Sequence, residues 1–201
     1  MSTSVAVRDA TAQDAEAIAA IYAHYIDSSL ATLAKDIASE PDMLKRINHV
    51  HAKDLPFLVV TAPAPTDGEM ICGYAYADDW SELLGFETAA EDTIYIHPDY
   101  RGGGIGKVLI EAVLEKLLSC EKKTQLLAKM SISPGRKPEA LATCRLHASL
   151  GFKVVGRVEK VGLTLGQWVD VIIYQLHLGK LRAKESKVVE EGSVGDDRAH
   201  T

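Results

Sequence analysis

The chain is 201 residues long, 47% hydrophobic and formally −6 at neutral pH, which suits one domain with a full core, or one domain plus a tail. The acidic balance gives no general affinity for nucleic acid or membranes. No apolar run approaches the ~18 residues of a spanning helix and the start MSTSVAVRDAT lacks a signal-peptide pattern, so a cytoplasmic protein is expected.

Val5 to Ala10 alternates like a short strand. A helix follows, with Thr11 capping against Asp14 and Ala15, Ile18, Ala19, Tyr22 and Ile26 at helical spacing. SEPDMLKRINHV reads as a second helix with Leu44, Ile47 and Val50 on one face. PFLVVTA and MICGYAYADD make a hairpin around a turn at Asp67-Gly68. SELLGFETAAED is irregular. TIYI is a strand, and a glycine cluster leads from it into a helix from about Gly104 to Leu118. The apolar face of that helix is Ile105, Val108, Leu109, Ala112, Val113 and Leu117. QLLAKMSI is a strand, and PEALATCRLHASL is a helix opened by Pro138 and ended by Gly151. FKVVGRVEKVG and WVDVIIYQLHL are the last strands. Residues 180–201 mix both charges without an aromatic and read as a disordered tail whose first turns could extend as a helix, leaving 1–179 as the domain. The order predicts an α/β fold with a mixed sheet of about seven strands.

Cys72, Cys120 and Cys144 are far apart with no C-x-x-C pair and read as reduced, buried thiols. The histidines show no metal-ligand spacing, so no metal is expected.

In YIHPDYRGGGIGKVLIEAVL the phosphate-loop pattern G-x-x-x-x-G-K-[ST] fails at Arg101 and Val108. The dinucleotide fingerprint fails at Lys107 and Leu109. What remains is Arg101-x-x-Gly104-x-Gly106 between a strand and a helix. Glycines there let a pyrophosphate approach the unpaired N–H groups of the helix start. Spacing alone leaves a ligand-free glycine turn equally open.

This segment resembles motif A of the GNAT superfamily, the Gcn5-related N-acetyltransferases. VRDATAQDAEAIAAIYAHYI, PFLVV, GYAYADDW, RLHASLGF and VGLTLGQWVDVIIYQL resemble, in order, its phosphinothricin and methionine sulfoximine acetyltransferase branch. The resemblance spans roughly Val5 to Leu178. It implies the GNAT fold, with a mostly antiparallel twisted sheet flanked by helices, and acetyl-CoA as co-substrate. It implies that the backbone of Ile94, Tyr95 and Ile96 pairs with the pantetheine arm. Arg101, Gly102, Gly103, Gly104, Ile105, Gly106 and Lys107 would hold the pyrophosphate, Lys107 being equally readable as a solvated helix residue. It also implies a homodimer and a small-molecule amine or amino acid as acceptor.

Acetyl transfer needs a base for the ammonium, donors for the thioester oxygen and a proton for the leaving thiolate. By the resemblance Glu91 is the base, with Glu87 second; the other reading of Glu91 is a surface carboxylate. The Ile96 N–H is a candidate oxyanion donor, and Tyr174 and Tyr95 are candidate acids. His147 carries a catalytic role in the branch, while a lone helix histidine also reads as packed or capping. Trp80 and Trp168 line the acceptor pocket or close the core.

The chain departs from the branch in three stretches expected to shape that pocket: Ser28 to Asp36, SISPGRKPEALAT with Glu139 or Ala140 in place of an Asn, and Gly162 to Trp168. The expected activity is acetyl transfer to a small amino acid or analogue in a ternary complex. A peptide acetyltransferase and a non-catalytic acyl-CoA binder are the alternatives.

Overall fold

The computed structural model describes residues 5–64 and 68–183. Seven strands are present: β1 (Ala6–Asp9), β2 (Phe57–Pro63), β3 (Glu69–Asp79), β4 (Ala89–Ile96), β5 (Gln125–Ile132), β6 (Lys153–Thr164) and β7 (Gln167–His177). They form one sheet in the order β1-β2-β3-β4-β5-β7-β6. Every neighbouring pair is antiparallel except β4–β5. The mixed, mostly antiparallel α/β sheet agrees with expectation. The helices are α1 (Ala15–Ser28), α2 (Glu40–His51), α3 (Ile105–Ser119) and α4 (Ala142–Ser149).

Local chemistry explains most of these boundaries. The Asp14 carboxylate accepts from the Thr11 N–H (2.7 Å) and hydroxyl (3.0 Å) and takes two bonds from Arg8, fixing the entry to α1. Ser39 and Asp42 form a capping box at α2. The α2 core stripe is Met43, Ile47 and Val50, with Leu44 only half-buried. In α3 the buried face is Ile105, Leu109, Ile110, Val113, Leu114 and Leu117, while Val108 is exposed. The expected stripe was therefore rotated by about one residue; α3 packs on β2, β3 and β4 and buries a broader face. The Asp67 half of the predicted hairpin turn lies outside the described residues, and Gly68 has φ +103°.

Two boundaries differ from expectation. β4 begins at Ala89, so Glu91 and Asp92 lie inside the strand. The predicted helix from Pro138 is a short 3-10 turn, Pro138–Ala140, followed by extended Leu141 and then α4. Gly151, at φ +91°, ends α4. Residues 178–183 are helical, the extension into the tail that the sequence allowed for. Arg182 donates to the carbonyls of Leu117 (2.7 Å), Leu118 (2.8 Å), Lys123 (2.8 Å) and Cys120 at the C-terminal end of α3. The Leu117 carbonyl also takes the Cys120 N–H, but the helix supplies no further N–H beyond its end, and the arginine fills the acceptor positions left over. The rest of the expected tail lies outside the described residues.

Candidate active site

The parallel strands β4 and β5 pair only from Ala89–Gln125 to Asp92–Ala128. Beyond that point Thr93–Ile96 stays on β3 and Lys129–Ile132 stays on β7. The sheet forks, and the inner edge of each arm is left without a strand partner. A cleft of about 990 Å³ opens in the fork, bounded by residues 28–33, the start of α3 and the start of α4.

The glycine loop closes one end of this cleft. Gly102 (φ +81°) and Gly104 (φ +82°) are left-handed, and Gly104 caps α3. A Cβ on Gly104 would meet nothing within 4 Å, so the loop is uncrowded there, and the first N–H groups of α3 have no acceptor a full turn back within the helix. Those N–H groups and the positive helix end fit a phosphate group. Gly106 serves packing instead, since a Cβ there would lie 3.1 Å from Leu146 Cδ2 and its bareness lets α4 approach α3. Gly103 is not part of the cleft wall, whereas Arg101, Gly102, Gly104, Ile105, Gly106 and Lys107 are. The Arg101 guanidinium lies 4.8 Å above the Tyr25 ring and donates to its hydroxyl. Lys107 reaches Glu111 at 3.7 Å. Ile94, Tyr95 and Ile96 all line the cleft, but the Ile96 carbonyl already accepts from Tyr25 Oη at 2.6 Å.

At the apex of the fork stand two adjacent carboxylates on opposite faces of β4. Glu91 Oε2 is 2.8 Å from Lys129 Nζ, which lies 5.0 Å from the Trp80 ring. Burial raises the Glu91 carboxyl above the usual glutamate range, and the Lys129 ammonium only partly offsets it. Asp92 Oδ2 is 2.8 Å from His147 Nε2, and both side chains are 1% exposed. His147 Nδ1 is 2.8 Å from the Thr143 carbonyl. A carbonyl only accepts, so Nδ1 carries a proton, and Nε2 shares one with the Asp92 carboxyl. Burial alone would push the His147 pKa down, but the Asp92 bond and charge outweigh it, and the net shift is upward. Both ring nitrogens of His147 are therefore engaged, and neither is free to act as a base toward an acceptor.

This pair makes a pH prediction. A raised folded-state pKa adds stability that is fully present below the unfolded value of about 6.5 and is lost as pH rises through the folded value. The melting temperature should fall across that window in the wild-type chain and change less in Asp92→Asn. Identical pH curves for the two proteins would refute the assignment.

Residues 18–152 match the Acetyltransferase (GNAT) family. The chain belongs to that family. Over 87% of this chain and 94% of the relative, it is 31% identical to the L-amino acid N-acyltransferase MnaT of Escherichia coli. It is 33% identical to a phosphinothricin N-acetyltransferase of Alcaligenes faecalis, over 84% of this chain and 79% of that one. A solved Salmonella typhimurium acetyltransferase with its cofactor acetyl-CoA superposes with a TM-score of 0.77 at 29% identity, covering 87% of this chain and 94% of that chain. A Sinorhizobium meliloti phosphinothricin acetyltransferase in complex with acetyl-CoA gives 0.76 at 27% identity, over 88% and 89%.

Several sequence expectations fail within this GNAT cleft. Glu87 is exposed and off the cleft wall, its carbonyl accepting from Lys123 Nζ, so it is no second base. Ile96 stands five residues from Glu91, roughly 16 Å along a strand, so its N–H cannot serve an oxyanion beside that base. Tyr174 is buried behind β5 near Cys144 and does not line the cleft; burial pushes its phenol far up. Tyr95 lines the cleft, and burial raises its phenol likewise. Neither tryptophan is a core residue: Trp80 is half-buried and Trp168 is 54% exposed.

Of the three stretches expected to shape the acceptor pocket, Ser28–Leu33 lines the cleft, as do Ser131–Ser133, Arg136 and Leu141–Thr143. Glu139, Ala140 and Gly162–Trp168 do not. Gly162 instead seats Leu33, whose Cδ2 would be 2.5 Å from an added Cβ. Asp92 and Lys129 carry no sequence signal of their own and emerge only from the fold. Among the described residues no group of three or more His, Cys, Asp or Glu could hold a metal ion, and no helix is long and apolar enough to cross a membrane.

Proposed function

We propose that this GNAT enzyme moves the acetyl group of acetyl-CoA to the amine of a small amino acid or amino-acid analogue. The attack is direct, within a ternary complex. One observation carries the reading: Glu91, a half-buried carboxylate with a raised pKa, stands at the fork apex already paired with a primary ammonium. An acceptor amine needs that partner. The names of the relatives above support a small amino-acid acceptor.

In this reading the phosphates lie on the start of α3 and the arm runs along Ile94–Ile96. Glu91 takes the ammonium proton. The freed lone pair attacks the thioester carbon, and collapse breaks the C–S bond. His147 acts through position: with Asp92 it fixes the α4 wall. Residues 1–179 are taken as the domain and 180–201 as a charged tail, in the cytoplasm.

A CoA-release assay against a panel of amino acids, amines and peptides tests the function. We expect turnover with at least one small amino acid. Turnover with peptides alone would favour a peptide acetyltransferase. Tight acetyl-CoA binding without any turnover would leave only an acyl-CoA binder.

The chain also works as a homodimer in this reading. β6 is an edge strand that exposes Val154, Val155, Val158 and Val161, next to exposed Leu163, Leu165 and Trp168. An apolar edge of this kind invites a partner. Light scattering at micromolar concentration should give twice the chain mass; a monomer mass would contradict it.

A further inference from the structure

Lys129 is the first residue of the free arm of β5, one place beyond the Ala128 at which the fork opens. Glu91 is in register with Leu127, and residues two apart on a strand point the same way, so Glu91 and Lys129 share a face. The ammonium sits 2.8 Å from Glu91 Oε2 and 5.0 Å from the Trp80 ring centre, an aromatic face that favours a cation. The side chain is 46% exposed and the residue lines the cleft. Other lysines differ. Lys123 is buried and spends its donors on Asp79 and two carbonyls, a structural pin. Lys107 pairs along the surface of α3. Among the described residues, Lys129 alone puts a primary amine on the carboxylate that an acceptor requires.

An acceptor is defined by that arrangement: an ammonium within hydrogen-bond reach of the base, held beside the donor. We propose, on the reading that Glu91 is the base and the fork is the donor site, that Lys129 is itself an acceptor and that the chain acetylates its own Lys129 when no substrate is present. Glu91 Oε2 takes one proton from Nζ, and the freed lone pair forms an N–C bond to the thioester carbon. The C–S bond breaks, and the sulfur leaves with the electron pair. The new amide nitrogen sheds a second proton, and one proton goes to the thiolate. The products are acetyl-Lys129, free CoA and one released proton. The amide is neutral, so the ion pair with Glu91 is lost, and an acceptor's ammonium would then meet Glu91 without a competitor.

The test is to incubate the full chain with acetyl-CoA alone and follow intact mass and peptide maps over time at two protein concentrations. One acetyl group should appear on Lys129, at a first-order rate independent of protein concentration. The rate should fall by roughly 10²-fold in Glu91→Gln, the usual loss on removing a positioned base. Saturating amino-acid acceptor should suppress it. Lys129→Arg keeps a cation beside Glu91 but offers no comparable nucleophile, and should abolish it. If Lys129 stays unmodified, or reacts no faster than exposed Lys45, while the same preparation turns over an amino acid, this proposal falls and the Glu91 reading stands. If neither Lys129 nor any amine is acetylated, the Glu91 reading falls and takes this proposal with it.

Discussion

Replacing Glu91 by Gln should lower kcat by roughly 10²-fold or more at neutral pH. Gln keeps the size and can still meet Lys129, but it cannot take a proton. Acetyl-CoA affinity should change little, because the glycine loop lies at the other end of the arm, past Ile96. The pH profile adds a second signature. Burial holds the Glu91 carboxyl above the ordinary glutamate range, so the acid limb of kcat/KM should sit higher than an exposed glutamate would place it. In Glu91→Gln that limb should disappear, and part of the rate should return at high pH, where solvent supplies free amine. Steady-state kinetics across pH decide the matter. A Glu91→Gln protein with near-normal kcat and an unchanged acid limb would remove the assignment. His147 could not simply replace it, because both of its nitrogens are already hydrogen-bonded.

The second large effect belongs to Gly104. Its φ of +82° lies where a residue with a Cβ costs about 1–2 kcal/mol, and a β-branched residue is worse still. The space in front of that missing Cβ is open. Gly104→Val therefore fills the approach to the α3 N–H groups and strains the cap that aims them. We expect acetyl-CoA affinity to fall by about 10²-fold, the equivalent of one or two charge-assisted hydrogen bonds. Calorimetry on a protein shown by thermal melting to be folded would measure it. Unchanged affinity would sink the phosphate-cradle reading. Gly106→Val is the poorer experiment, because its side chain would first collide with Leu146 and disturb the α3–α4 contact.

The strand–glycine–helix unit was legible in the sequence because its grammar is local. A strand, a run of glycines and an amphipathic helix carry their own periodicity and backbone requirements. Local signals likewise revealed the hairpin, the Thr11–Asp14 box and the Gly151 stop. The fork was not legible. Nothing in QLLAKMSI says that its pairing with β4 stops at Ala128, since that depends on how two distant segments diverge. The same limit hid the Asp92–His147 bond, whose partners are 55 residues apart, and the Lys129–Glu91 pair. Glu91 was found only through family resemblance. From chemistry alone a carboxylate at that place reads as surface. Gly103 shares the motif's residue type but stands off the cleft wall, between Gly102 and Gly104, which line it.

The bonds from Arg182 to the end of α3 also set an order of events during synthesis. The helix that begins at the glycine loop has its opposite end finished by a residue about sixty positions later in the chain. A nascent chain can assemble the sheet through β7, yet still lack the guanidinium that satisfies those last carbonyls. Completion of this helix thus waits on residues beyond the last strand. A messenger truncated just before codon 182 would yield a protein with every residue of the fork present, but with its binding helix fraying from the far end.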